Sequence, residues 1–296
     1  MRITNSIIQQ RALASMQMNL TQIAEAQSRV TTGLRIQQPS DDPAAAASAM
    51  RARSSIRALD QYRSAINVGN QRAAAEEGAL DSITSTLVRA KELAITQMGG
   101  TSNADTRKMA QAEVEHLLRH AVSLANTRFG ETYLFAGGDS STQPYAVVEG
   151  TDIDFSSTTP SGEHKVEISA HQLILTNHNG VEVFEDTGVL ASLRDLAKGL
   201  GANDPAAIKA ATADIDSAFD EVQSLIGDVG ARVNQLQVTS ANLDAMEINL
   251  LTFKSDLEEV DVEKAITELV SRQTAFQAAM LATSRVMGLT LADYLR

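Results

Sequence analysis

Of the side chains able to do chemistry in this 296-residue sequence, the five histidines come first. His116 and His120 lie one helical turn apart with Glu113 just before them, a spacing that could set two imidazoles on one metal ion. A zinc-protease helix needs glutamate directly after its first histidine, and Leu117 stands there instead. A solvated helix face is the expected role of this pair. His164, His171 and His178 recur evenly but fall in segments that read as strands and turns, without carboxylate partners in pattern, so chance accounts for them. Asp41-Asp42 reads as a helix cap rather than an acid/base dyad, because Pro43 follows. Gly137-Gly138 lacks a following Gly-Lys-Ser/Thr and is a turn, not a phosphate loop. With no cysteine, disulfides, zinc thiolates and thiol nucleophiles are excluded. An enzyme has no residue to stand on here, and no metal site or cofactor is expected.

Composition narrows the partners. The net charge is −12 with no basic block, so the electrostatic footprint of a nucleic-acid binder is missing. No 18 consecutive residues are apolar, so no membrane insertion is expected. No apolar run follows Arg2 as a secretory signal would require, so export, if it occurs, keeps the N-terminus. Hydrophobic residues make up 43% and aromatics only 4%, which suits helices packed through small side chains.

The periodicity agrees. Leu13, Met16, Leu20, Ile23, Val30 and Leu34 alternate at steps of three and four, with Gln27 filling one seam position, a narrow seam of coiled-coil type that stops at Gly33 and Pro39. Asp42 and Pro43 then open a helix that meets no further proline before Gly99-Gly100. Leu59, Ile66, Leu80 and Leu87 recur on it in register with Ala73 and Ala94; such a helix would be roughly 80 Å long. Asn103 caps the next, which runs to about Phe129 and ends at Gly130.

Six of the eleven Phe and Tyr residues lie between Phe129 and Phe184, so a different kind of core is expected there. Lys165–Ser169, Leu173–Thr176 and Val181–Phe184 read as strands, with Asn179-Gly180 as a hairpin turn. Helices resume near Val189, and Asp204-Pro205 repeats the cap-then-proline signal. Ile215, Val222, Val229, Leu236, Leu243 and Leu250 then hold a strict seven-residue period, with Gly227 and Gly230 placed to admit close helix contact. The register breaks at Lys254–Glu263, where Ser255 with Glu258 matches a capping box and Asp261 adds to an acidic helix start. Ile266, Leu269, Phe276, Met280 and Met287 form the last seam.

The expected fold is mainly α: an elongated antiparallel long-helix bundle or coiled coil formed by the two halves, with a small β-rich domain inserted in the middle. Its parts are assembly helices at 1–40 and 256–296, rod halves at 41–130 and 188–255, and the insertion at 131–187. Thirty ordered residues lose more backbone entropy than one seam of side chains returns. Both ends are therefore expected to be mobile in the single chain and to become helical against neighbours; the alternative is that the two ends pair within one chain as a coiled coil.

These residues carry a family likeness. Ser28-Arg29-Val30-Thr31-Thr32-Gly33-Leu34-Arg35-Ile36 followed by Asp41-Asp42-Pro43 resembles the N-terminal signature of the flagellin superfamily. Gly230-Ala231-Arg232-Val233-Asn234-Gln235-Leu236, the break at Asp261 and the last seam resemble its C-terminal half. The second proline of Pro39-Ser40-Asp41-Asp42-Pro43, and Leu124–Gly130 running into Tyr133–Gly137, are more similar to the hook-associated branch at the hook-filament junction than to filament flagellin. Residues 140–190 carry no likeness. The resemblance implies a structural, extracellular flagellar protein that leaves unfolded through the flagellar type III export apparatus. It implies as partners a cytoplasmic export chaperone near the C-terminus, a neighbouring hook-associated protein, flagellin and further copies of the chain. It also implies terminal helices lining an inner tube, with the long helices in the layer outside. A filament subunit, or a metal-binding module on His116 and His120, are the alternatives.

Overall fold

The computed structural model describes residues 2–99, 102–150 and 153–294. Helix α1 spans Arg2–Thr32, α2 Pro43–Met98 and α3 Ala104–Ala125. Three antiparallel hairpins follow: β1 (Arg128–Phe129) with β2 (Thr132–Tyr133), β3 (Tyr145–Val148) with β4 (Asp154–Ser157), and β5 (Lys165–Ser169) with β6 (Gln172–Leu175). A π-helical turn at Val181–Asp186 leads to α4 (Val189–Gly201), α5 (Pro205–Glu258) and α6 (Val262–Tyr294). These elements form two units, residues 1–58 with 246–296, and residues 59–245. The fold is a set of long antiparallel helices with small hairpins in the middle of the chain.

The helix starts follow from their caps. Asp42 Oδ1 accepts the Ala45 N–H at 3.0 Å, and Pro43 sits where its missing N–H forfeits no bond. Asn103 and Thr106 exchange side-chain bonds with each other's backbone N–H at 2.9 and 3.0 Å. Asp204 accepts from Ala206 and Ala207 at 2.9 and 3.3 Å ahead of α5.

Within the second unit α2 and α5 run antiparallel. Arg63 meets Asp244 at 2.7 Å, Glu76 meets Arg232 at 3.1 Å and Lys91 meets Asp216 at 2.6 Å, so residue numbers rise on one helix as they fall on the other. Leu59, Ile66, Leu80 and Leu87 are buried, as are Ile215, Val222, Val229, Leu236 and Leu243. Each such side chain contributes about 1.5–3 kcal/mol when fully covered. Leu250, in the first unit, is half-buried. Helices α3 and α4 pack together and add Val114, Leu118, Leu193 and Leu196 to the core.

Four sequence expectations are corrected. Helix α3 ends at Ala125 rather than near Phe129, because the Asn126 amide is engaged by Tyr145: Nδ2 donates to its carbonyl at 2.8 Å and Oδ1 accepts its N–H at 3.1 Å. Val181–Phe184 is a helical turn and not a strand. Asn179 Oδ1 accepts the Glu182 N–H at 3.0 Å while Glu182 Oε2 accepts the Asn179 N–H at 3.2 Å, a capping box in place of a hairpin turn. Gly180 is needed there for close approach, since a Cβ would come 2.8 Å from the Phe135 carbonyl oxygen. Ser255 and Glu258 belong to the last turn of α5, and the cap of α6 is Asp261, which accepts the Lys264 N–H at 3.2 Å.

The fourth concerns Gly227 and Gly230. A Cβ at either would meet nothing within 4 Å, so neither admits a close contact. Both lie exposed inside α5. Gly227→Ala and Gly230→Ala are each expected to stabilise the free chain by about 1 kcal/mol, seen as a higher urea midpoint.

Candidate assembly surface

Helices α1 and α6 pack against each other within the first unit. Leu34 bridges Glu259, and Arg272 Nη1 donates to Gln22 Oε1 at 2.6 Å, which makes the pairing antiparallel. On α1 the shielded positions are Met16, Ile23, Ala26 and Val30; on α6 they are Ala265, Leu269, Phe276 and Ala279. Only Ala26 and Ala265 among them are buried, at 5% and 6% exposure. Small side chains let the backbones approach but cover little area. The two ends, expected to be mobile in the single chain, are instead helical and paired with each other, the alternative the sequence left open, through a shallow seam.

The sequence-derived residues divide accordingly. Met16, Ile23, Val30, Leu34, Leu269 and Phe276 are half-buried. Leu13, Leu20, Ile266 and Met280 point outward at 57, 51, 46 and 50% exposure. Met287 lies outside the residues whose side chains are described. Val270 and Leu281 of α6 also face outward, and sequence periodicity did not single them out. They fall off the three-and-four seam, so only counting every apolar residue on the helix could have found them.

The junction between these helices and their neighbours is held by backbone hydrogen bonds and by charged side chains. Gly33 ends α1 with a positive φ of 70°, a conformation L side chains seldom adopt. The next residues run beside the start of α6: Arg35 N–H donates to the Glu258 carbonyl at 2.7 Å and Val260 N–H to the Gly33 carbonyl at 2.9 Å. Arg53 holds the buried Glu258 carboxylate at 2.7 Å, and Arg35 Nη2 donates to the Leu257 carbonyl at 2.8 Å. Asp41 and Asp42 serve the turn between α1 and α2. Backbone N–H groups of Gln38 and Gln37 lower the pKa of Asp41, and chiefly that of Ala45 lowers the pKa of Asp42.

The second unit holds a buried polar centre that no spacing revealed. Glu76, fully buried on α2, accepts from His178 Nδ1 at 2.6 Å, from the His178 backbone N–H at 3.0 Å and from Arg232 at 3.1 Å. Arg232 Nη2 also lies 3.2 Å from His178 Nε2. Arginine can only donate, so this network assigns Nε2 as the acceptor and puts the imidazole proton on Nδ1. The expectation that His178 lacks a carboxylate partner is therefore corrected: its partner stands 102 residues earlier. His171 occupies the exposed turn of the β5–β6 hairpin, and His116 and His120 are exposed on α3. No group of three or more metal-capable side chains occurs among the described residues.

His164 stands beside this centre, with Nε2 3.4 Å from Arg72 Nη1 and Nδ1 3.0 Å from Thr176 Oγ1. Burial, and then the Arg72 guanidinium, hold its pKa below the ordinary 6.5. A lowered value in the folded chain means that the unfolded chain takes up the proton first as pH falls. The contribution is thus full above 6.5 and is lost as pH drops through that value toward the folded one. His164→Gln, which keeps an acceptor for Arg72, is expected to flatten this part of the melting-temperature profile between neutral and mildly acid pH.

No helix of the described residues is long and apolar enough to cross a membrane. The model of the bacterial flagellin N-terminal helical region matches residues 3–140, and that of the C-terminal helical region matches residues 212–295. Flagellar hook-associated protein 3 of Escherichia coli (strain K12) is 25% identical over 289 residues, covering 89% of this chain and 90% of that protein. Flagellin FlaB1 of Treponema pallidum is 24% identical over 279 residues, 93% of each. The solved structure of a flagellar hook-associated protein from Vibrio parahaemolyticus superposes with a TM-score of 0.67 at 19% identity, covering 74% of this chain and all of that one. These relatives are named as structural parts of flagella, not as enzymes.

Proposed function

Because the chain belongs to the flagellin family, we propose that it is a structural flagellar subunit joining the hook, through a neighbouring hook-associated protein, to the flagellin filament. The observation that carries the reading is the apolar surface left outward on α1 and α6 after those helices have paired. Leu13, Leu20, Ile266 and Met280 are its members from the two seams. Residues 1–40 and 256–296 serve as the assembly segments, 41–130 and 188–255 as the supporting helices and 131–187 as the insertion. A pairing this shallow suits a chain that leaves the cell unfolded by the flagellar export route, with a cytoplasmic chaperone covering the C-terminal region until then. The likeness to hook-associated protein 3 over most of both chains favours the junction. The likeness to the Treponema pallidum flagellin supports a filament subunit as the second reading.

Deleting the gene separates the two. A junction role is supported if hooks persist without filaments while flagellin accumulates in the medium. Normal filaments in the deletion strain contradict it, and purified chain that seeds itself into long filaments favours the filament subunit.

A further inference from the structure

With no cysteine in the sequence, its nine methionine thioethers are the sulfur atoms open to oxidation. Met18, Met50, Met246 and Met280 are at least half exposed, at 61, 56, 52 and 50%. They lie one each on α1, α2, α5 and α6, and all four belong to the first unit. Met109, exposed at 72%, lies on α3 in the second unit. Met16 and Met98 are half-buried. Four of the five helices that carry one exposed methionine apiece therefore place it in the unit bearing the outward apolar surface. Methionine there is intelligible, because its unbranched, polarisable side chain adapts to unlike neighbours. Its liability is oxidation.

We propose that Met18, Met50, Met246 and Met280 are peroxide-sensitive modification sites whose conversion to sulfoxide blocks assembly. The inference rests on the reading that the first unit carries the assembly surface. A thioether sulfur attacks one oxygen of hydrogen peroxide, the S–O bond forms and the O–O bond breaks. The departing hydroxide takes the proton from the new S–OH group and leaves as water. Sulfur loses two electrons and the peroxide gains them. The product carries a strong hydrogen-bond acceptor on a formerly apolar side chain. Covered by an apolar helix of another chain, that oxygen has no donor and its desolvation opposes binding. The free chain is open to the reaction, whereas an assembled chain is shielded.

The test treats purified full-length chain briefly with hydrogen peroxide, maps sulfoxides by peptide mass spectrometry, and sediments the protein with purified flagellin. Treatment is expected to oxidise the four sites and Met109, and to lower the pelleted fraction by about tenfold, the effect of a modest loss in contact energy. In the combined Met18→Leu, Met50→Leu, Met246→Leu and Met280→Leu variant the pelleted fraction, measured against that variant's own untreated level, should not fall on treatment while Met109 still oxidises. Met109→Leu alone should remain sensitive. Treated wild-type chain that pellets normally despite full conversion, or a fourfold leucine variant that stays sensitive, overturns the inference. Untreated chain that fails to pellet overturns the assembly reading itself, and the inference with it.

Discussion

Replacing Leu20 and Ile266 together with glutamate is expected to abolish assembly while leaving the free chain as stable as before. Both side chains are about half exposed on helices, so the exchange removes little intramolecular contact. Surface substitutions of this kind change stability by within about 0.5 kcal/mol each. Against another chain the same positions would place an unpaired carboxylate in an apolar seam, which costs about 3–5 kcal/mol. That is about two to four orders of magnitude in affinity for each contact. Circular dichroism melts of the free protein and sedimentation with flagellin read the two effects separately. Unchanged sedimentation, or a collapsed melt, contradicts the expectation.

The largest loss of stability is expected at Glu76→Ala. The carboxylate is fully buried and satisfies Arg232, the His178 ring and the His178 backbone together. Its removal strands a guanidinium and two N–H donors away from water, which costs about 3–5 kcal/mol. A clear fall in urea midpoint should follow, whereas His171→Ala, in the exposed turn of the neighbouring hairpin, should leave the midpoint unchanged. Replacing Glu76, His178 and Arg232 together with apolar residues should restore much of the loss, because no orphaned charge remains. A loss below about 1 kcal/mol for Glu76→Ala would show that water reaches the site.

The seam on α1 illustrates what sequence could and could not settle. Its apolar residues were legible, but Met16, Ile23 and Val30 turn toward α6 while Leu13 and Leu20 turn away. A helix carrying more apolar width than one seam uses has more than one neighbour to meet, and periodicity alone does not say which residues serve which. Caps were legible for a local reason: Asp42 with Pro43, Asn103, and Asp204 with Pro205 satisfy backbone groups within three residues. The Asn179–Glu182 box was equally local but was masked by Asn179-Gly180, which also spells a hairpin turn. Glu76 with His178 and Arg232 was out of reach, because three distant segments supply it and no spacing encodes the meeting.

Amide hydrogen exchange over residues 7–34 and 262–284, compared between the free chain and the chain pelleted with flagellin, bears on the central point most directly. In solution those amides should exchange far faster than the ones from Leu80 to Ala94 of α2, and should slow by about a hundredfold or more once incorporated. Full protection in the free molecule, unaltered on incorporation, would mean that the two helices already have all the company they need.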